Sequence, residues 1–243
     1  MQIPGSSGEF VQTTMKNVSK ASPAPVCRVA IIDDHTLMRE GVRMFVDSLE
    51  GFVCEWQAGS AKETIGLVSK LQPDLMLLDI TLPDRSGLEV IKDVHAMYPA
   101  VMILVLSMHD EKLYALRALK AGARGYVMKN APHAVLEAAL RRVAEGGIAV
   151  SPSVAEMVVG AYSAGAKKRT DDELRSLTDR EFEIFQRIGE GCGNPEIAEA
   201  LRISSKTVDV HRMNIRIKLG LEDGAALTRW AIRWAESRRH NME

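Results

Sequence analysis

Five short apolar runs alternate with amphipathic segments along the first part of the chain. Runs of this length, separated by stretches with a helical period, are typical of buried parallel strands joined by crossover helices. The alternation therefore predicts an α/β fold with a doubly wound, five-stranded parallel sheet. The predicted strands lie near Val29–Ile32, Phe52–Trp56, Leu75–Leu78, Met102–Leu106 and Gly125–Met128.

The pattern changes in residues 177–240, where only amphipathic helical periods occur. Thr178 and Glu181 have the spacing of a capping box, in which two side chains satisfy free amides at the start of a helix. This box predicts a helix that runs to about Gly189, with its apolar positions on one face. The second part of the chain is therefore expected to be a smaller all-α domain.

Two helices joined by a brief turn are predicted next. Asn194 is expected to cap the first of them, with Pro195 at its first position and an end near Leu201. A tight turn leads into a longer helix, Ser205 to Leu219. Two helices connected in this way are typical of a helix-turn-helix.

Length and composition divide the chain into four segments. A total of 243 residues is long for one α/β domain of ordinary size and suits one such domain plus a small module. Small polar residues dominate the start of the chain, and mixed charges with few apolar side chains precede the helical domain. The predicted segments are a disordered lead at 1–25, the α/β domain at 26–148, a linker with a helical extension at 149–176 and the helix-turn-helix domain at 177–240.

Overall composition narrows the class of protein. No apolar stretch reaches the roughly 18–20 residues that span a bilayer, and the first residues lack the apolar core of a secretory signal. The three cysteines are scattered and odd in number, which favours reduced thiols over a disulfide framework. We therefore expect a cytoplasmic protein that is not bound to a membrane. Its net charge of −1 argues against indiscriminate nucleic-acid binding.

Polar side chains directly follow four of the predicted strands, namely Asp33 and Asp34, Asp79, Ser107 and Lys129. Because the carboxyl ends of parallel strands meet at one edge of a sheet, these side chains are expected to form one site. Two carboxylates about 4 Å apart repel by roughly 4 kcal/mol at an effective dielectric of about 20, so three ionised acids need a cation or must take up protons. Mg²⁺ is the expected ion, since it binds carboxylates and completes its shell with water and phosphate oxygens.

Each of these residues also has an ordinary structural role. Asp33, Asp34 or Thr36 would serve as a helix cap, which is worth roughly 1 kcal/mol. Ser107 alone is equally typical of a turn, and Lys129 alone of a solvated surface. The coincidence of all five at matching strand ends favours a shared functional site.

The same residues carry a resemblance to a known family. The paired acids Asp33 and Asp34, the stretch Leu-Leu-Asp-Ile-Thr-Leu-Pro around Asp79, and Gly87 occur in the order typical of receiver domains. Ser107 and the stretch Gly125–Lys129 follow at matching distances. Residues 26–148 therefore resemble the flavodoxin-like receiver domain of a two-component response regulator.

This resemblance implies a role for each residue. Asp79 would be the nucleophile that accepts a phosphoryl group from the phosphohistidine of a sensor kinase. Lys129 would neutralise the phosphoryl oxygens, while Ser107 and Tyr126 would occupy the family's two switch positions. The implied Mg²⁺ ligands are the carboxylates of Asp33, Asp34 and Asp79 and the main-chain carbonyl of Thr81.

The predicted helix that begins at Ser205 has one face that points away from its buried stripe. Cations on such a face neutralise DNA phosphates, and polar or apolar side chains reach base edges in the major groove. A solvated helix face is the alternative explanation, since mixed charges are ordinary on surfaces. The candidate DNA contacts are Lys206, Asp209, Val210, Met213 and Arg216, with Thr207, Arg212, Asn214 and Lys218 at the borders.

A second resemblance favours DNA binding. The segments that carry it are Leu-Thr-Asp-Arg-Glu from 177, Asn-Pro-Glu-Ile-Ala from 194, Thr-Val-Asp-Val-His-Arg from 207 and Lys-Leu-Gly from 218. They resemble the LuxR-type helix-turn-helix, and the whole chain resembles the NarL/FixJ group of response regulators. The resemblance implies a four-helix DNA-binding module and a homodimer on paired half-sites of double-stranded DNA, with activation when phosphorylation alters contacts between domains or subunits.

Three positions depart from the usual pattern of that family. Arg202 stands where glycine is frequent, so a left-handed backbone there would cost about 1–2 kcal/mol. Asp209 and Met213 stand where some relatives carry lysine, and an acid at such a position accepts a hydrogen bond from cytosine or repels phosphate. The target sequences of relatives are therefore not expected to apply.

Three hypotheses follow. The leading one is a phosphorylation-controlled transcription regulator that is not a metabolic enzyme. The second makes the first domain a ligand-gated or constitutive dimerisation module. The third makes it a magnesium-dependent phosphatase with Asp79 as nucleophile, but such hydrolases usually carry a second acid at the position of Thr81.

Other conspicuous side chains are interpreted as structural. His95 and His109 are expected to be surface or packing residues, because their spacing to the cysteines does not suit a metal site. Trp230 and Trp234, four residues apart, are expected to pack the small domain or its dimer interface.

Overall fold

The computed structural model describes residues 26–163, 174 and 176–239. Strands and helices alternate in its first part. The strands are β1 (Cys27–Ile32), β2 (Phe52–Ala58), β3 (Leu75–Leu78), β4 (Met102–Ser107) and β5 (Gly125–Met128). The helices are α1 (Thr36–Ser48), α2 (Ala61–Val68), α3 (Gly87–Met97), α4 (Glu111–Ala121), α5 (His133–Ala144) and α6 (Pro152–Ser163). The predicted disordered lead and residues 164–173 of the predicted linker lie outside the described residues.

The five strands form one parallel sheet in the order β2-β1-β3-β4-β5. This is the doubly wound order of the flavodoxin-like fold, so the predicted fold class is confirmed. Each predicted strand is present, and the largest differences are at β1, which begins two residues earlier, at Cys27, and at β2, which continues two residues further, to Ala58. The order places the ends of β1, β3, β4 and β5 side by side at one edge.

Helices cover both faces of the sheet. Residues of α1 and α5, such as Val46 and Leu140, pack on one face, and residues of α2, α3 and α4 pack on the other. Side chains of β3 alternate between the two clusters and are fully buried. Burial on both faces explains why this strand is a continuous apolar run with no polar alternation.

The predicted linker begins with ordered structure. Ala149 pairs with Gly125 in a parallel bridge, so the chain leaves along the edge of the sheet. The hydroxyls of Ser151 and Ser153 then donate to the Glu111 carboxylate at 2.7 Å each, which ties the start of α6 to α4.

Four helices form the second domain among the described residues. They are α7 (Asp179–Gly189), α8 (Asn194–Ala200), α9 (Ser205–Lys218) and α10 (Gly224–Arg239). The predicted capping box is present at the start of α7: Thr178 Oγ1 accepts from the Glu181 amide, and Glu181 Oε2 accepts from the Thr178 amide. Trp230 and Trp234 pack against Phe185, so the expected packing role of the tryptophans in this domain is confirmed.

The expected cap of α8 was wrong. Gly193 is the capping residue, and its amide donates to the Glu196 carboxylate at 2.7 Å, while Asn194 is already in the first turn. The Asn194 side chain instead donates to Asp209 on α9. The Glu196 carboxylate accepts from the backbone N–H of the capping residue, Gly193, within the first turn of the helix. The side-chain amide of Asn194 is therefore not needed as a cap and binds a residue that is distant in sequence.

The turn between α8 and α9 has a left-handed backbone at Arg202. Arg202 has φ of 50°, the only positive value outside glycine among the described residues. Its amide donates to Glu199, so the strained residue closes the end of α8. No helix within the described ranges is both long and apolar enough to cross a membrane.

Candidate functional site

Three of the predicted side chains meet directly at the carboxyl edge of the sheet. Lys129 Nζ lies 2.7 Å from Asp79 Oδ2 and 2.7 Å from Asp33 Oδ2. All three side chains are 5 % exposed. Because an isolated buried charge is costly, the lysine and the two acids stabilise one another.

Asp34 lies at the rim of the same cluster. Ligand atoms of Asp33, Asp34, His35 and Asp79 fall within 4.8 Å of one another. Asp34 Oδ1 is 2.8 Å from His35 Nδ1, but the contact is not aligned as a hydrogen bond, and this buried oxygen has no hydrogen-bond partner. Three acids against one lysine, with one buried oxygen lacking a hydrogen-bond partner, suit a bound divalent cation.

The alternative role of the acids as helix caps does not fit the geometry. The residue that caps α1 is His35, and no side-chain hydrogen bond is made there. Asp33 Oδ1 accepts from the His35 amide at 2.9 Å, which fixes the loop that follows β1 rather than the first helical turn. Thr36 is the first residue of the helix.

Burial and the lysine act in opposite directions on the phosphoacceptor candidate. Burial raises the pKa of Asp79 above its ordinary value, and the hydrogen bond from Lys129 offsets only part of that rise. Burial by itself would lower the pKa of Lys129, but its hydrogen bonds to Asp33 and Asp79 outweigh burial, so the pKa is raised. The site therefore holds a protonated lysine beside Asp79, whose ionised form gains from further positive charge.

The two predicted switch residues, Ser107 and Tyr126, border this cluster. The Ser107 hydroxyl is fully buried and accepts from the His109 amide at 3.3 Å. The Tyr126 hydroxyl donates to the His109 carbonyl at 2.8 Å, and its ring is 2 % exposed. Both residues thus hold the β4–α4 loop through the backbone of His109.

Thr81 connects the same loop to Asp79. Its amide hydrogen bonds with Asp79 Oδ1 at 3.3 Å, and its hydroxyl lies 2.8 Å from His109 Nε2. Gly87 keeps this β3–α3 loop close to the sheet, because a Cβ there would lie 2.3 Å from the Asp79 carbonyl oxygen. The glycine is therefore required by close approach of two backbones.

His109 and His35 are the side chains near the site that sequence reasoning did not assign to it. His109 was expected to be a surface or packing residue, and it does pack, with its ring 4.6 Å from that of Tyr114. The available signal was its position two residues after Ser107, in a loop at the functional edge of the sheet.

The predicted DNA contacts lie on or beside the exposed face of α9. Lys206, Val210 and Met213 are exposed there, while Thr207, Asn214 and Arg216 are half-buried. The remaining three contact other parts of the domain: Asp209 accepts from Asn194 at 2.5 Å, Arg212 donates to Thr228 at 3.1 Å and Lys218 donates to Glu181 at 2.6 Å.

Glu181 joins α7 to the end of α9. Its side chain is 4 % exposed. Burial alone would raise the pKa of this carboxylate, but hydrogen bonds from Lys218 and from the Thr178 amide hold it below its ordinary value. The ionised form therefore stabilises the domain at neutral pH.

Replacing Glu181 with glutamine is expected to lower the free energy of unfolding at pH 7 by about 1–2 kcal/mol, because a charged hydrogen bond is lost. A lowered pKa means that this contribution is complete above the ordinary carboxyl pKa and is lost as pH falls through the lower folded value. Denaturant unfolding of both proteins at several pH values measures the difference. Glu199→Gln, at an exposed position of α8, is the matched control. A deficit that stayed constant from pH 7 to pH 3 would contradict the role assigned to the charge.

The two domains contact each other through α4 and α7. Arg117 donates to the carbonyls of Leu174 and Leu177 at 2.7 and 3.0 Å and to Asp179 at 3.2 Å. Its guanidinium also lies 4.2 Å from the ring centroid of Phe182. With 14 % of its side chain exposed, this arginine is a largely buried anchor of the interface.

Lys92 and Tyr114 make further contacts in this interface. Lys92 on α3 donates to Asp179 at 2.6 Å, so Asp179 receives two cations from the first domain. The Tyr114 hydroxyl donates to Gln186 on α7, and its ring packs edge-on against Phe182 at 5.5 Å. The interface uses α7, while Val210 and Met213 on α9 remain exposed.

Two family models match this chain. The model described as "Response regulator receiver domain" matches residues 29–141. The model described as "Bacterial regulatory proteins, luxR family" matches residues 175–231. The two matches correspond to the α/β domain and the helical domain.

Two named relatives align with this chain over most of their own length. The oxygen regulatory protein NreC of Staphylococcus carnosus is 33% identical over 210 residues, which cover 85% of this chain and 97% of the relative. The transcriptional regulatory protein DegU of Brevibacillus brevis is 34% identical over 209 residues, covering 81% of this chain and 89% of the relative.

Solved structures with the same fold include a LuxR-family two-component response regulator from Aurantimonas sp. SI85-9A1. It is 32% identical, with a TM-score of 0.53, over 57% of this chain and 99% of that one. RcsB from Salmonella enterica serovar Typhimurium, solved on the promoter rprA, has a TM-score of 0.60 at 23% identity, over 85% of this chain and 98% of that one. The chain therefore belongs to the NarL/FixJ group of two-component response regulators, with a receiver domain and a LuxR-type DNA-binding domain.

Proposed function

We propose that a sensor histidine kinase switches this regulator by transferring a phosphoryl group to Asp79. The observation that carries the proposal is the position of Lys129 Nζ, 2.7 Å from the carboxylate of Asp79 and 2.7 Å from that of Asp33. A protonated lysine placed between two buried acids at the edge of the sheet is suited to neutralise the oxygens of an incoming phosphoryl group.

The transfer needs little beyond position and charge. One oxygen of the ionised Asp79 carboxylate attacks phosphorus and forms a P–O bond. The P–N bond of the donor phosphohistidine breaks, and its electron pair stays on the imidazole nitrogen, which takes a proton. The Thr81 amide and Lys129 remain beside the acceptor as hydrogen-bond donors.

The acid cluster fits a resident Mg²⁺. Its ligands would be the carboxylates of Asp33, Asp34 and Asp79 together with the main-chain carbonyl of Thr81. When bound, the ion would supply positive charge to the transferring phosphoryl oxygens. Asp34 Oδ1, which has no hydrogen-bond partner, supports this assignment because it would coordinate the cation.

The product is expected to reset itself. Water attacks the phosphorus of the aspartyl phosphate, the P–O bond to Asp79 breaks, and inorganic phosphate leaves with the carboxylate restored. This slow hydrolysis makes the receiver a switch rather than a metabolic enzyme, in keeping with the regulatory names of its relatives.

A chain of contacts leads from the acceptor to the DNA-binding domain. Thr81 contacts both Asp79 and His109, the His109 ring packs on Tyr114, and Tyr114 donates to Gln186 on α7. Phosphoryl oxygens on Asp79 would compete for the Thr81 amide, which now donates to Asp79, and for the Ser107 hydroxyl, which now accepts from the His109 amide. We expect this competition to loosen the contact between α4 and α7.

Release of α7 would let two DNA-binding domains reorient and bind paired half-sites as a homodimer. With α4 and α7 in contact, as in the structure, Val210 and Met213 on α9 are already exposed. The interface would therefore restrain the relative position of the two domains and would not cover the helix that reads DNA. Footprinting on genomic fragments, with and without acetyl phosphate and Mg²⁺, tests the function. Protected sites that appear or strengthen with the donor support it. Equal occupancy in both arms would instead favour a constitutive binding module.

Replacing Arg117 with alanine is expected to raise the DNA affinity of the unphosphorylated protein about tenfold, within the usual range of coupling between sites. The arginine contacts α7 and the residues that precede it, so these contacts exist only while α4 and α7 are packed together. Titration of a footprinted duplex without phosphodonor measures the change. Arg124→Ala, which removes an exposed arginine of the same domain, should leave the affinity unchanged. Unaltered binding by a folded Arg117→Ala protein would exclude this interface as the restraint.

A further inference from the structure

Three apolar side chains are exposed along one stripe of α9. Val210 and Met213 are each 48 % exposed and Ile217 is 65 % exposed, whereas Val208 and Ile215 on the other face are fully buried. Their spacing of three and then four residues places the exposed side chains one above another on the helix. Exposed apolar side chains grouped in this way indicate a surface that contacts a partner.

Two polar neighbours of this stripe make hydrogen bonds to other parts of the domain. Asp209, which precedes Val210, accepts from Asn194 at 2.5 Å. Arg212, which precedes Met213, donates to Thr228 and turns toward α10. The centre of the reading face is therefore apolar, and the cations Lys206 and Arg216 lie toward its two ends.

The chemistry of DNA identifies a partner for such a centre. In the major groove each base pair presents a pattern of donors and acceptors, and the apolar group among them is the C5 methyl of thymine. Cations at the two ends of the helix suit the phosphates that border the groove. Valine offers a rigid branched surface, and methionine an adaptable one, for contact with methyl groups.

We infer that Val210 and Met213 are specificity-determining residues that select thymine through its 5-methyl group in each half-site. The inference rests on the proposed placement of α9 in the major groove. Ile217 lies one turn beyond Met213, outside the part of the helix expected to reach base edges.

The test uses the full chain treated with acetyl phosphate and Mg²⁺. Duplexes bound from a random-sequence pool are sequenced, and each enriched thymine is then replaced singly by uracil, which keeps base pairing and the O4 acceptor but lacks the methyl. Loss of one methyl contact is expected to weaken binding about fourfold. Val210→Ala and Met213→Ala should each remove the uracil penalty at one thymine per half-site, whereas Ile217→Ala, the control, should retain both penalties.

Each other outcome has a defined meaning. If uracil is neutral at every thymine in the wild type, or if both variants keep every penalty, the inference is overturned. If the alanine variants change dimerisation but not thymine preference, the stripe is a protein interface and the inference also fails. If the full chain treated with acetyl phosphate and Mg²⁺ enriches no sequence from the pool, the proposed DNA-binding function fails, and this inference fails with it.

Discussion

Replacing Asp79 with asparagine is expected to abolish phosphorylation by small phosphodonors, with at least about a 100-fold loss of label, because a neutral amide is a poor nucleophile. The measurement is incorporation of radiolabelled phosphate from acetyl phosphate with Mg²⁺, followed by mass spectrometry of the labelled peptide.

Asp93→Asn is the matched control for this experiment. Asp93 pairs with Arg85 on the surface of α3, and an exposed ion pair of this kind is worth less than about 1 kcal/mol. The control should label like the wild type. Equal labelling of Asp79→Asn would remove Asp79 as the acceptor, and repeated turnover of small phosphate esters by the wild type would favour the phosphatase hypothesis instead.

Replacing both Lys206 and Arg216 with alanine is expected to weaken DNA binding by roughly tenfold or more and to reduce its salt dependence. Each lost phosphate contact lowers the slope of log affinity against log salt by about 1, so a bound dimer of the double variant, which loses four such contacts, should lose about 4. With a net charge of −1, the chain must obtain its affinity from local cations such as these.

The salt dependence separates this prediction from a loss of folding. Lys70→Ala removes an exposed positive charge from the receiver domain and should leave both affinity and slope unchanged. A double variant with wild-type footprints and an unchanged slope would show that α9 does not lie in the groove.

Local sequence signals located the elements well. A buried strand such as β3 is apolar at every position, and a capping box such as Thr178 with Glu181 is closed within one helical turn. Such signals depend on neighbours in the chain, so they are legible before the fold is known. The cap of α8 was predicted incorrectly because Asn194 has a competing partner, Asp209, fifteen positions away.

Contacts between residues far apart in the chain also shape the acid pocket and the interface between the two domains, so local signals do not predict their details. That Asp79 and Lys129 share an edge follows from the parallel sheet alone. The 2.7 Å contact between them and the lack of a hydrogen-bond partner for one Asp34 oxygen depend on how the loops pack. The role of His109 depends on Thr81 and Tyr114, which approach it from two other segments.

By itself the sequence determined the class of fold, the order of its elements, the acids at the strand ends and the presence of a helix-turn-helix. These features follow from periodicity and from chemistry confined to a few neighbouring residues. Only the tertiary structure decided that Arg117 joins the receiver to α7 and that Asn194 engages Asp209 beside the exposed Val210 and Met213. Contacts of this kind form between segments whose approach is set by packing of the whole chain, and no local pattern encodes them.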